Sequence, residues 1–153
     1  MKKSLKIIIA IVLLIALIVG VMLLVVLPAT LNSAAQLQTY DFGQNDKIPS
    51  FTSVVGERKA TGVSTSASTG GVQQKRYTYE TQSLGEDLDA YVDALRAAGI
   101  LVTKVLDGNK LKGSIQLGCS SADEGKIILI DMAWDNANVV VQLTKGDGTF
   151  TPY

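Results

Sequence analysis

The sequence predicts an α+β protein: an N-terminal transmembrane helix, then an antiparallel β-sheet domain with one helix packed on a face, in the order ββ-α-ββββ. Three observations predict it. An uncharged apolar run extends from Ile7 to Leu27. One later segment, Ser83–Gly99, places apolar residues at helical spacing. The remaining segments are β-like, and short breaks of turn composition separate the last four.

The apolar run comes first. At about 1.5 Å per residue it reaches about 30 Å, the thickness of a bilayer's hydrocarbon core. A cleavable signal peptide has a shorter apolar core, about 7–15 residues, so retention is expected. Pro28 reads as the end of the run. A cleavage-like "NSAAQ", with Ser33 and Ala35 suitably spaced, lies several residues beyond it, a distance that weakens it as a cleavage site near Gln36. No cysteine follows the run as a lipoprotein signal requires, and "LPATL" has Leu31 where a sortase motif needs glycine. Lys2, Lys3 and Lys6 precede the run and orient the N-terminus to the cytoplasm. The expected division is a cytoplasmic stub over 1–6, an anchor over 7–27, a polar linker over 28–47 and an extracytoplasmic domain over 48–153.

Within the domain, "SVVGERKATGVSTSAS" and "VQQKRYTYET" flank Thr69–Gly71 and read as a hairpin. Alternation puts Tyr77 and Tyr79 on its inner face, and Arg76, Thr78 and Glu80 on the other. "SLGEDLDAYVDALRAAG" is the helix. Ser83 and Glu86 have capping-box spacing. Leu84, Leu88, Tyr91, Val92 and Leu95 share a face. Gly99 stands where a C-terminal cap belongs, with Ile100 beyond it. "ILVTKVL", "GSIQLGC", "KIILIDMAW" and "NVVVQLTK" follow as four strands. Ile128, Ile130, Met132 and Trp134 alternate onto one face, matched by Val139, Val141 and Leu143.

Composition excludes several function classes. Of the 153 residues 14 are basic and 14 acidic, but three of the lysines precede the anchor. The remainder is mildly acidic and has no general attraction for nucleic acid. There is no histidine, which removes Ser-His-Asp and Cys-His catalysis and histidine-ligated zinc. The single cysteine, Cys119, rules out an intramolecular disulfide. It alternates with Ile115 and Leu117 and reads as a buried structural thiol. Glu86, Asp87, Asp89 and Asp93 match no calcium-loop spacing and read as a solvated helix face. "DGNKLKG" lacks the closing glutamate of a calcium loop and reads as a turn. "STSASTGG" has no phosphate-loop lysine. No catalytic, cofactor-binding or metal-ligating set is expected. The remaining candidate is a ligand platform at Trp134, Asp135 and Asn136, where a tryptophan adjoins a hairpin tip, although a core role is the commoner fate of such a residue. Asp131, a carboxylate in an apolar strand, would suggest enzyme chemistry if it were buried beside Glu80 or another carboxylate.

The anchor, "FTSVVGERKATGVS", "YTYET", "DLDAYVDALRAAG" and "SSADEGKIILIDMAW" together resemble small membrane-anchored proteins of Gram-positive bacteria with an uncharacterised extracytoplasmic domain. The resemblance covers most of the domain in pattern and implies architecture only, with no activity and no site residues to carry over. The expected function is a non-catalytic binding module held in the lipid bilayer through Ile7–Leu27, with a protein, peptide or cell-wall partner. The alternatives are an extracytoplasmic enzyme using carboxylates or Cys119, and a structural accessory subunit of a membrane complex.

Overall fold

The computed structural model describes residues 2–43, 45–108 and 111–150. The turn expected over Asp107–Gly113 contains residues 109 and 110, and the expected domain ends at 153. Residues 109–110 and 151–153 lie outside the described residues.

The N-terminal segment is helical from Lys2 to Ala35, in three pieces: α1 (Lys2–Val21), a π-helical turn (Met22–Val26) and α2 (Leu27–Ala35). Pro28 ends the apolar run but not the helix. It sits in the first turn of α2, where its missing N–H is tolerated. The preceding turn widens instead, with the Leu27 N–H bonded to the Met22 carbonyl. The apolar run is thereby shared among three pieces. Among the described residues, no helix is long and apolar enough to cross a membrane. The uncharged part of α1, from Ile7 to Val21, reaches only about 22 Å at 1.5 Å per residue.

The stretch read as a linker over 28–47 is folded. After α2 come β1 (Thr39–Asp41) and β2 (Lys47–Pro49), paired antiparallel with Tyr40 opposite Ile48. Both of those side chains are buried, as is Phe42 in the connecting turn. A short helix, α3 (Phe51–Val55), follows, its first turn capped by the Ser50 hydroxyl, which accepts from the Ser53 N–H at 3.0 Å.

The body is a six-stranded antiparallel sheet in the order β3-β4-β8-β7-β6-β5, built from β3 (Lys59–Ala67), β4 (Gln73–Glu80), β5 (Leu101–Gly108), β6 (Lys112–Ser120), β7 (Lys126–Asp135) and β8 (Asn138–Asp147). Between β4 and β5 runs α4 (Leu84–Ala97). The chain leaves β4, crosses the sheet as α4 and starts again at the far edge. Three hairpins then bring it back until β8 pairs with β4. The expected ββ-α-ββββ order therefore describes the sheet and its main helix.

Period-two alternation decides which side of each strand faces the helix. Tyr77 and Tyr79 of β4, Val139, Val141 and Leu143 of β8, Ile128, Ile130 and Met132 of β7 and Leu117 of β6 are all buried in one core. Leu84, Leu88, Tyr91 and Leu95 of α4 meet them there. The C-terminus of α4 forms as expected. Gly99 takes φ +81°, its N–H bonds to the Arg96 carbonyl, and the Ile100 N–H bonds to the Leu95 carbonyl with both of those side chains buried. The N-terminal capping box does not form: Ser83 makes no side-chain cap bond and Glu86 is exposed. Thr81 takes that place, accepting from the Ser83 N–H and donating to the Asp87 carboxylate.

Candidate functional site

The most polar feature of the interior joins two distant parts of the chain. Asp46, in the turn between β1 and β2, lies 2.6 Å from the Nζ of Lys145 on β8. Lys145 is only 2% exposed. Its Nζ also meets Asp123, in the β6–β7 turn, at 2.8 Å. Asp46 accepts two further bonds, from the Ser121 hydroxyl at 2.6 Å and the Ala122 N–H at 2.7 Å. Burial by itself would push the Asp46 carboxyl up. The Ala122 N–H, the Lys145 ammonium and the Ser121 hydroxyl outweigh it and hold the group below its ordinary range. Burial pulls Lys145 down, and the two carboxylates more than reverse that. Both groups are therefore charged at neutral pH.

Sequence reasoning missed this trio, although one signal was available. Lys145 continues the Val139, Val141, Leu143 alternation, so it had to point inward. No local pattern marks Asp46, whose partner is 99 positions away.

Cys119 is half-buried in a cleft of about 550 Å³ between the β1–β2 turn and the start of β5, lined also by Asn45, Gly99 and Phe150. Burial pushes its thiol up, and the negative charge of Asp46 adds to the shift. The thiolate is scarce at neutral pH, which suits a structural residue.

The core above β4 is an aromatic cluster. Tyr40 stacks on Tyr77 at 4.5 Å, and Phe51 lies 5.3 Å from Tyr79 and 5.2 Å from Tyr91. The hydroxyls of Tyr40, Tyr79 and Tyr91 have partners: Tyr40 and Tyr79 lie 3.0 Å apart, the Phe51 N–H donates to Tyr40 at 3.1 Å, and Tyr91 donates to the Pro49 carbonyl at 3.0 Å. Burial pushes the Tyr79 hydroxyl up to about 12 and also holds those of Tyr40 and Tyr91 well above their ordinary value. They are neutral hydrogen-bonding groups, not acids.

Asp87 departs from the expected solvated face. It is buried and accepts from both the Nε and the Nη2 of Arg58, each at 2.8 Å. Burial raises its carboxyl, while Arg58 and Thr81 hold it below the ordinary range. Glu86, Asp89 and Asp93 are not buried, as expected, and Asp93 lies 3.4 Å from Arg96. Among the described residues, no group of carboxylates and thiols is placed to hold a metal ion.

Trp134, Asp135 and Asn136 sit together at the end of the β7–β8 hairpin. The Trp134 side chain is partly buried against the core. Asp135 accepts from the Asn136 side-chain amide at 2.9 Å and lies 3.7 Å from Lys112. Asn136 takes φ +54°, a conformation asparagine tolerates, and its N–H bonds to the Leu111 carbonyl. Asp131 accepts from the Gln116 amide at 2.7 Å. It lies on the opposite sheet face from Ile130 and Met132, within a polar row, and not among buried carboxylates.

No family model matches this chain, and neither the curated proteins nor the solved structures provide a match. The class that fold and site define is an antiparallel α+β domain with an apolar helical N-terminus.

Proposed function

We propose that residues 7–27 cross the cell membrane once, with the N-terminus cytoplasmic, and hold the α+β body outside as a binding module for a protein, peptide or cell-wall partner. The observation that carries this reading is the surface of the N-terminal helical segment. From Ile11 to Leu27 its described large apolar side chains are about half or more exposed, Val26 being the most covered at 44%. A surface of that size needs an apolar partner. The span comprises α1, the π-helical turn and the start of α2, which share one helical course from Lys2 onward. The three lysines before the run support the orientation.

Retention is favoured by the way α2 docks. Ser33–Ala35, the cleavage-like stretch, lies in the last turn of α2. Ala34 is 2% exposed, and its carbonyl lies 3.5 Å from the Tyr79 hydroxyl. A peptidase that requires an extended substrate would have to unwind this turn and undock it. Binding is favoured over catalysis because Asp46, Lys145, Arg58 and Asp87 are each neutralised by a fixed partner, and the Cys119 thiol stays protonated.

Alkaline carbonate extraction and protease treatment of protoplasts test the proposal together. The full-length chain should stay in the membrane pellet, and external protease should remove the body. Release by carbonate, or a soluble mature form beginning near Gln36, would overturn it.

A further inference from the structure

A second apolar surface adjoins the proposed membrane segment, and its assignment rests on that segment crossing the bilayer. Between α2 and the β3–β4 hairpin runs a groove of about 500 Å³. Val25, Val26, Ala29 and Ser33 line its helical side, and Val63 and Tyr77 line its sheet side. Val63 and Tyr77 are register partners; the tyrosine is buried while the valine is 39% exposed. The groove is thus closed at its floor and open along its flank. Among the described residues, no charged side chain lines it.

We propose that this groove holds an acyl chain of a bilayer lipid, drawn from the outer leaflet along α2. Continuity argues for that occupant. Val25 and Val26 belong to the last turns of the apolar run, so the groove opens at the hydrocarbon boundary with no polar sill between them. From Val26 to Ser33 the helix rises about 10 Å, on the order of one headgroup layer. An extended peptide fits poorly. Its backbone carbonyls would need donors, and the hydroxyl protons of Thr30 and Ser33 on the helical side of the groove are already given to helix carbonyls. Thr30 donates to the Leu27 carbonyl at 2.8 Å, and Ser33 donates to the Ala29 carbonyl at 3.0 Å. An acyl chain needs no such partners. With no charge in the groove, the lipid is selected by its chain and not by its headgroup.

The test uses the full chain in liposomes of phosphatidylcholine carrying a photoactivatable diazirine near the acyl terminus. After irradiation, peptide mapping should find adducts on Val63 or Tyr77 as well as within Ile11–Leu27. Ser33→Phe fills the groove, and Val63→Asp charges its open flank. Ser33→Phe should cut the Val63 and Tyr77 adducts, and Val63→Asp the Tyr77 adducts, at least fivefold while leaving those within Ile11–Val21 unchanged. Adducts confined to Ile11–Leu27 would overturn the lipid groove while sparing the anchor. No adducts anywhere, with release by carbonate, would overturn the membrane reading and this inference with it.

Discussion

Lys145 shows how much one buried charge commits a fold to. Its stem continues the apolar face of β8, while its ammonium is neutralised by Asp46 from the first turn of the body and Asp123 from the β6–β7 turn. Such a pair contributes little net stability over an apolar substitute, but removing one partner leaves a buried charge uncompensated. Asp46→Ala should therefore cost about 3–5 kcal/mol in denaturant melts at neutral pH. Asp123→Ala should cost less, because its side chain is 35% exposed and water takes over part of its role. The pH dependence has a definite sign. The Asp46 and Asp87 carboxyls are held below their ordinary 3.8, so the stability they contribute is present above that value and is lost as the pH falls through their folded values. Lys145 is held above its ordinary 10.5, so its contribution is complete below that value and is lost only at higher pH. Melting temperature against pH should be flat from about pH 5 to 9 and fall on the acid side. The acid limb should flatten in Asp46→Asn. An unchanged limb in that variant would show that Asp46 does not supply it.

At the scale of elements, alternation and helical spacing made the sheet and α4 legible. Each of the four late strands expected from the sequence is present, because residues such as Ile128, Ile130 and Met132 have only one buried face to share. Two kinds of feature were not legible. Strands of three residues, such as β1 and β2, are too short to display a period, so alternation marks no strand at Tyr40 or Ile48. Asp87 looked like one of four solvated carboxylates. Its position three residues after Leu84 and directly before Leu88 does put it on the buried side of α4, but its partner, Arg58, comes from the segment before β3. This separates the acidic residues of α4 experimentally. Asp87→Ala should cost about 3–5 kcal/mol by stranding Arg58, and Leu88→Ala about 2–5 kcal/mol by opening a cavity. Asp89→Ala should stay within about 0.5 kcal/mol, as exposed changes usually do. Equal effects at Asp87 and Asp89 in urea melts would refute the burial of Asp87.

For the whole molecule, the question is where the folding unit begins. The sequence alone suggests Ile48, with a linker before it. The structure puts Tyr40, Phe42 and Asp46 inside the core, and packs α2 against β3. A fragment starting at Ile48 would lack the ring stacked on Tyr77 at 4.5 Å and the hydroxyl partner 3.0 Å from Tyr79. It would also leave Lys145 with only the partly exposed Asp123. Losing a buried aromatic side chain costs about 3–5 kcal/mol, and breaking a buried ion pair costs a similar amount. A domain of this size has a net stability of about 5–15 kcal/mol, so the combined loss takes most or all of it. A fragment of residues 28–153, which keeps α2 and the β1–β2 ribbon, should melt cooperatively with coincident near- and far-ultraviolet circular dichroism transitions. The fragment of residues 48–153 should lose its near-ultraviolet signal or melt at least about 15 °C lower, since about 1 kcal/mol shifts the midpoint of a domain this size by roughly 4–8 °C. Equal midpoints for the two fragments would mean that the ribbon merely rests on a body that is complete without it. A large difference would mean that the protein has no flexible joint between its helical N-terminus and its sheet. The body would then be held against α2 by the same contacts that complete its core.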